Sequence, residues 1–164
     1  MNKIGSLIEQ LHDAELGLAE EYRKVGERHA VEHDLWYGCH TLAQQCEGRA
    51  AELRRVADRY GEQISEPNDS ELLRSLMAHV RHASANLIGR TASTGLLMLR
   101  DLRQLYTAAE EVNFYWIALG QVAQATRDRE LPQLDDLLHR QLLTQIKWLK
   151  TRVKEASPQI LVGR

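Results

Sequence analysis

The chain has few of the residues that break helices or cross-link a fold. Its 164 residues include three prolines, two cysteines and one phenylalanine. Pro67, Pro132 and Pro158 all lie outside the long periodic segments, which favours helices over strands. Cys39 and Cys46 are separated by about 10 Å along one predicted helix, beyond the reach of a disulfide. We therefore expect two buried thiols and no cysteine-based zinc site.

An excess of one charge and a long apolar run are also lacking. The 21 basic and 23 acidic residues give a net charge of −2, which supplies no attraction toward nucleic acid or anionic lipid. No apolar run approaches the roughly 20 residues that span a bilayer, and the N-terminus has no signal-like apolar core. We expect a cytoplasmic protein that binds neither nucleic acid nor membrane. Nucleophile and nucleotide-binding motifs are absent as well.

Helical periodicity covers most of the chain. Apolar residues recur every three or four positions in long segments, and polar or turn-rich stretches separate these segments. Ser70 is a candidate cap for a shorter helix in the middle of the chain. We predict one domain over residues 1–164, with helices at 3–31, 34–61, 71–84, 94–127 and 132–156.

The spacing of these segments predicts an all-α bundle. Two antiparallel helix hairpins would be joined by a long crossover containing the short helix, which is the plan of a four-helix bundle with one long connection. A five-helix bundle with residues 71–84 as a full member is the alternative. The apolar tail, residues 157–164, is expected to leave the last helix at Pro158 and fold back as a strand-like end. A docking peptide for a protein partner is the other interpretation of this tail.

One acid interrupts the apolar face of the first helix. At 100° per residue, Leu11, Leu18 and Tyr22 share one face, and Glu15 lies in the middle of it. A carboxylate directed at a core costs several kcal/mol unless a metal, a cation or water compensates it. The partner of Glu15 is therefore the main functional question that the sequence raises.

Three short segments carry a family resemblance. DAELGL at 13–18 resembles a first-helix motif DAEKQL, LAQQCEGRAAELRRV at 42–56 is similar to a second-helix segment, and YWIALGQ at 115–121 is similar to YEIAAYGT. These motifs are those of the ferritin-like superfamily, nearest the stress-associated bacterial ferritin-like bundles. The resemblance implies a ferritin-like four-helix bundle in a bacterial stress or redox setting. It also implies two iron or manganese ions at the centre, held by Glu and Glu-x-x-His ligands.

The chain departs from that ligand pattern. Gln44 and Gln45 lie where the second helix should supply an acid and a histidine, and Tyr115 lies where the third should supply a glutamate. A metalloprotein that handles iron, O₂ or peroxide would have to use the remaining candidates. These metal candidates are Glu15, Glu47, Glu111 and His139.

A cation from the second helix offers another partner for Glu15. Antiparallel pairing about a turn near residue 32 brings Arg49 level with Glu15, and Arg49 lies on the inward stripe of its own helix. A guanidinium stays protonated and cannot ligate a metal. We predict a buried Glu15–Arg49 pair, with Tyr115 and Gln145 completing a small polar network. No cofactor is then expected, and iron or manganese would be bound only under the metalloprotein hypothesis.

The sequence thus leaves three functional hypotheses. The first is a ferritin-like bundle with a missing or degenerate diiron centre, acting as a binding or structural protein rather than as an enzyme. The second is the iron or manganese metalloprotein, and the third is a carrier of a small apolar ligand. On the third long helix, Leu99, Tyr106 and Ile117 form a second apolar strip beside the aromatic cluster at 114–116. Either the crossover or a second subunit must cover this strip, and we expect a homodimer.

Overall fold

Four long helices form the described part of the computed structural model, which covers residues 2–66 and 94–163. No strand occurs within these two ranges, so the all-α prediction is confirmed for them. None of the four helices is long and apolar enough to cross a membrane. The helices are α1 (Lys3–Arg28), α2 (His33–Ala57), α3 (Thr94–Ala125) and α4 (Leu131–Leu161), and a 3₁₀ turn (Asp58–Tyr60) follows α2.

Local chemistry accounts for where the first two helices begin and end. The Asn2 side chain accepts a hydrogen bond from the Ile4 backbone N–H at 3.1 Å and so caps the start of α1. His29 adopts non-helical backbone angles, which ends α1 earlier than the predicted residue 31. After α2 and its 3₁₀ turn, Gly61 has a φ of 76°, a left-handed conformation that glycine adopts without strain.

The last helix is longer than the sequence predicted. The predicted end at residue 156, followed by a strand-like tail over 157–164, is wrong because α4 continues through Pro158 to Leu161. A proline in the last turn removes only one helical hydrogen bond. Its carbonyl still accepts from the Val162 N–H at 3.0 Å, and the Ser157 hydroxyl donates to the Val153 carbonyl at 2.6 Å.

Each helix runs antiparallel to its two neighbours, in the order α1, α2, α4, α3 around the bundle. The directions follow from side-chain contacts in which a residue late in one helix meets a residue early in the next. Of the neighbouring pairs, α2 and α4 approach each other least closely. The contacts that show the directions are Glu27 with His40, Arg28 with Asp101, Trp148 with Gly38, and Ile160 with Gly95.

The first described range ends, and the second begins, at opposite ends of the bundle. Asn2 donates to the Tyr60 carbonyl at 2.9 Å, so the first range finishes beside the start of α1. Gly95, by contrast, lies against Ile160 near the end of α4. The predicted crossover and its helix over 71–84 belong to residues 67–93, which lie outside the described residues.

The core consists of the inward stripes of all four helices. Both small and large apolar side chains are buried there, and the largest fully buried side chain is that of Trp116. Six polar or charged residues are also buried among the described ranges, which is costly unless each finds a partner. They are His12, Glu15, His29, Arg49, Asp101 and Gln145.

Candidate functional site

The centre of the bundle holds an ion pair between α1 and α2. Arg49 donates from Nε to Glu15 Oε1 at 2.7 Å and from Nη2 to Glu15 Oε2 at 2.8 Å. Both side chains are 0% exposed. This two-point geometry is the strongest that a carboxylate and a guanidinium can form, and it fixes both planes relative to each other.

The other two helices complete the polar network. The Trp116 indole N–H of α3 donates to Glu15 Oε1 at 2.7 Å. From α4, the Gln141 side-chain oxygen accepts from Arg49 Nη1 at 2.9 Å, and that of Gln145 accepts from Nη2 at 3.3 Å. The network around the charge pair therefore contains side chains from all four helices, and a buried pair is tolerated only when it is hydrogen-bonded in this way.

Gln145 joins this centre to α2 across the interface where α2 and α4 pack least closely. Its side-chain amide donates to Gln45 Oε1 at 2.9 Å and to the Leu42 carbonyl at 3.3 Å. Every polar group of Gln145 thus has a partner, although the side chain is only 1% exposed. The side chains of Gln45 and Gln145 thus occupy the wider gap between the backbones of α2 and α4.

The ionisable groups around the pair stay in fixed protonation states. Burial by itself would lower the pKa of Arg49. The hydrogen bonds and the charge of Glu15 outweigh burial, so the pKa of Arg49 lies above its ordinary value. Burial raises the pKa of Cys46 to about 12, with only partial opposition from Arg49, and raises the pKa of Cys39 to about 12. Both thiols are buried and free, and both are therefore neutral and unreactive at ordinary pH.

The structure does not bring Tyr115 into the centre. Tyr115 is only partly buried and makes no hydrogen bond to Glu15 or Arg49, so its predicted place in the network is wrong. The adjacent Trp116 points inward instead, because it occupies the apolar stripe of α3. Sequence reasoning missed Trp116 and Gln141. An indole on an inward stripe, level with a buried acid, would have been the signal for the former.

The four metal candidates do not converge on one point. Glu47 is exposed and pairs with Arg23 at 3.0 Å, and Glu111 is also exposed. His139 donates from Nε2 to Asn113 Oδ1 at 2.7 Å. The described residues therefore do not bring Glu15, Glu47, Glu111 and His139 together as a single site. In residues 2–66 and 94–163 no three His, Cys, Asp or Glu side chains form a group suited to a metal ion.

A second buried ionic cluster joins the end of α1 to the start of α3. Asp101 is 0% exposed, and its Oδ2 lies 2.7 Å from Arg28 Nη1 and 2.9 Å from His29 Nε2. Arg100 approaches Oδ1 at 3.2 Å. Burial by itself raises the pKa of Asp101, but hydrogen bonds from His29, Arg28 and Arg100 outweigh it and hold that pKa below its ordinary value.

The surface of the described bundle includes two cavities lined by ionisable side chains. One, of about 250 Å³ between α3 and α4, is lined by Gly120, Asp135 and His139 among others. Burial, reinforced by the charge of Asp136, raises the pKa of Asp135 to about 6. The other, of about 490 Å³ near the start of α2, has an apolar floor of Leu35, Met98 and Leu102 but a charged rim that includes Glu32, Asp34, Arg152 and Glu155.

No protein-family model, curated protein or solved structure matches the chain. The ferritin-like resemblance, and the diiron chemistry that it implies, therefore remain predictions from three short motifs.

Proposed function

We propose that this protein is a cytoplasmic, ferritin-like bundle whose centre is a fixed charge pair in place of a metal site, and that it acts as a binding or structural protein rather than as an enzyme. The observation that carries this proposal is the state of the Glu15 carboxylate. Two hydrogen bonds from Arg49 and one from Trp116 already engage its oxygens. The Arg49 guanidinium supplies the positive charge that a metal would otherwise bring.

The expected setting is a bacterial stress or redox response, and it follows from the motif resemblance alone. The iron or manganese hypothesis is the less favoured one, because Glu47 and Glu111 are exposed and His139 is hydrogen-bonded to Asn113. The apolar-ligand hypothesis has one matching feature, the cavity floored by Leu35, Met98 and Leu102. The charged rim of that cavity suits a mixed ligand better than a purely apolar one.

Metal analysis tests the proposed function. Protein purified without chelator and offered Fe²⁺ or Mn²⁺ should hold the same amount of either metal as the Glu15→Leu, Arg49→Met double variant. The double variant removes both charges together and so leaves no uncompensated ion in the core. Stoichiometric iron or manganese that the parent binds and the double variant loses would contradict a metal-free centre.

We propose in addition that α3 offers a surface to a second copy of the chain. Phe114 is 66% exposed and Ile117 is 51% exposed, which is unusual for such large apolar side chains. Sedimentation velocity should show a dimer for the parent and a monomer for the Phe114→Ser, Ile117→Ser variant. Leu137 on α4 is also exposed and apolar, so Leu137→Ser is the matched control and should remain dimeric. A parent that sediments as a monomer at its highest soluble concentration would exclude this dimer.

A further inference from the structure

We propose that the cleft between α3 and α4 binds one divalent cation of the Zn²⁺ type through Asp135 and His139. This site lies outside the charged centre and does not depend on the function proposed for it. Both residues belong to α4 and both line the cavity of about 250 Å³. They are four residues apart, so they lie on the same face of the helix, with the longer histidine side chain leaning toward the turn that carries Asp135.

The hydrogen bonds of His139 leave one ring nitrogen available. Asn113 donates from Nδ2 to Glu110 Oε2 at 2.9 Å, which directs its oxygen, Oδ1, toward His139. That oxygen lies 2.7 Å from His139 Nε2, so the ring nitrogen Nε2 carries the proton and donates. The lone pair of the neutral ring is then on Nδ1, which makes no hydrogen bond within the described residues.

This arrangement is the one that metal-binding histidines use. A ligating imidazole generally donates its other N–H to an oxygen acceptor, and that acceptor is itself held in place. Here Asn113 is the acceptor and Glu110 holds it. The His139 ring is also stacked 6.3 Å from Trp116, at 15° to its plane, which restricts its rotation.

Asp135 supplies the oxygen ligand from the adjacent turn. Its Oδ1 is buried and accepts no hydrogen bond from the described residues. A Cβ at position 120 would lie 2.6 Å from Asp135 Oδ2, so this carboxylate packs against α3 where Gly120 leaves space for it. A buried acceptor without a donor is costly, and a bound cation would compensate it.

The rest of the cleft determines the class of cation. Asp136 is held by Arg140 through hydrogen bonds of 2.6 Å, which leaves it committed elsewhere. Two protein ligands remain, and the cleft has room for several waters at roughly 30 Å³ each to complete the coordination. An imidazole nitrogen beside one carboxylate favours Zn²⁺, Co²⁺ or Ni²⁺ over Mg²⁺ and Ca²⁺, which prefer oxygen ligands alone.

Calorimetric titration of the full chain with ZnCl₂, after chelator treatment and removal of the chelator, tests this site. We expect one equivalent of Zn²⁺ to bind, with no heat of binding from MgCl₂ or CaCl₂. Asn113→Ala should weaken Zn²⁺ binding by about 10–100-fold, because it releases the histidine from its fixed orientation. His139→Ala and Asp135→Asn should each abolish binding of this one Zn²⁺. Asp135→Asn retains the shape of the side chain, so it still tests the site if His139→Ala fails to fold.

Two controls separate this site from other histidines and from the bundle centre. His33 is exposed on α2, and His33→Ala should bind Zn²⁺ as the parent does. The Glu15→Leu, Arg49→Met variant should also keep the Zn²⁺ equivalent, so that loss of the cleft site and failure of the metal-free centre give different results. The proposal is overturned if the parent binds no Zn²⁺, if His139→Ala binds it unchanged, or if Mg²⁺ competes for it.

Discussion

Replacing Arg49 by methionine is expected to lower the free energy of unfolding by about 3–5 kcal/mol. The change leaves the Glu15 carboxylate, which is 0% exposed, with Trp116 as its only donor among the described residues. The side-chain oxygens of Gln141 and Gln145 lose a donor at the same time. Urea unfolding followed by circular dichroism measures the difference.

Removing both charges should restore much of that loss. In the Glu15→Leu, Arg49→Met variant no uncompensated charge remains in the core, and two apolar side chains fill the space. Recovery should be incomplete, because the Trp116 indole N–H then lacks its acceptor, at a cost of about 1–3 kcal/mol. The double variant should thus be more stable than Arg49→Met but less stable than the parent.

A surface arginine on the neighbouring helix provides the matched control. Arg23 pairs with Glu47 across α1 and α2, with side chains 31% and 45% exposed. Arg23→Met should cost less than about 1 kcal/mol, because solvent screens such pairs. If Arg49→Met proves as stable as Arg23→Met, the central pair does not hold the bundle as described.

The Asp101→Asn variant should be the second most destabilised, by about 3 kcal/mol at pH 7. The substitution keeps the shape of the side chain but removes the charge that Arg28 and the buried His29 both approach. It weakens the junction between the end of α1 and the start of α3. Glu52→Gln, in an exposed pair with Arg55, is the control and should change stability by less than about 1 kcal/mol.

The effect of Asp101 should depend on pH in a defined direction. Its pKa in the folded protein lies below the ordinary value of 3.8. The stability that its charge contributes is therefore fully present above pH 3.8 and is lost as the pH falls through the lower folded-state pKa. The difference in unfolding free energy between parent and Asp101→Asn should therefore shrink as the pH falls below about 4. A difference that grows as the pH falls below about 4 would contradict the assigned partners.

Much of the fold could be predicted because apolar periodicity is a local property of the chain. The stripe on α3, from Leu102 to Ala123, is buried as its spacing indicates. The end of α4 could not be predicted in this way. Pro158 normally marks a helix boundary, but a proline near a helix end loses only one hydrogen bond, and contact between Ile160 and Gly95 holds the last turn in place.

The residues of the candidate site could also be predicted only in part. Counting residues from the turn brought Arg49 level with Glu15, since paired antiparallel helices keep a common rise per residue. The same counting selected Tyr115 over Trp116 on the second hairpin. Contacts between hairpins depend on how each helix is rotated about its axis, and a rotation of 100° exchanges one residue for the next. The Asp101 cluster depends likewise on which helices pack together.

The sequence by itself determined the four helices, their inward faces and the presence of one acid and one arginine among apolar residues. Only the tertiary structure decided which groups meet: Trp116 and Gln141 at the central pair, Arg28 and His29 at Asp101, and Asn113 at His139. The physical reason is that helix formation and burial follow from spacing along the chain. Hydrogen bonds between side chains of different helices require distances of about 3 Å, and packing alone sets these.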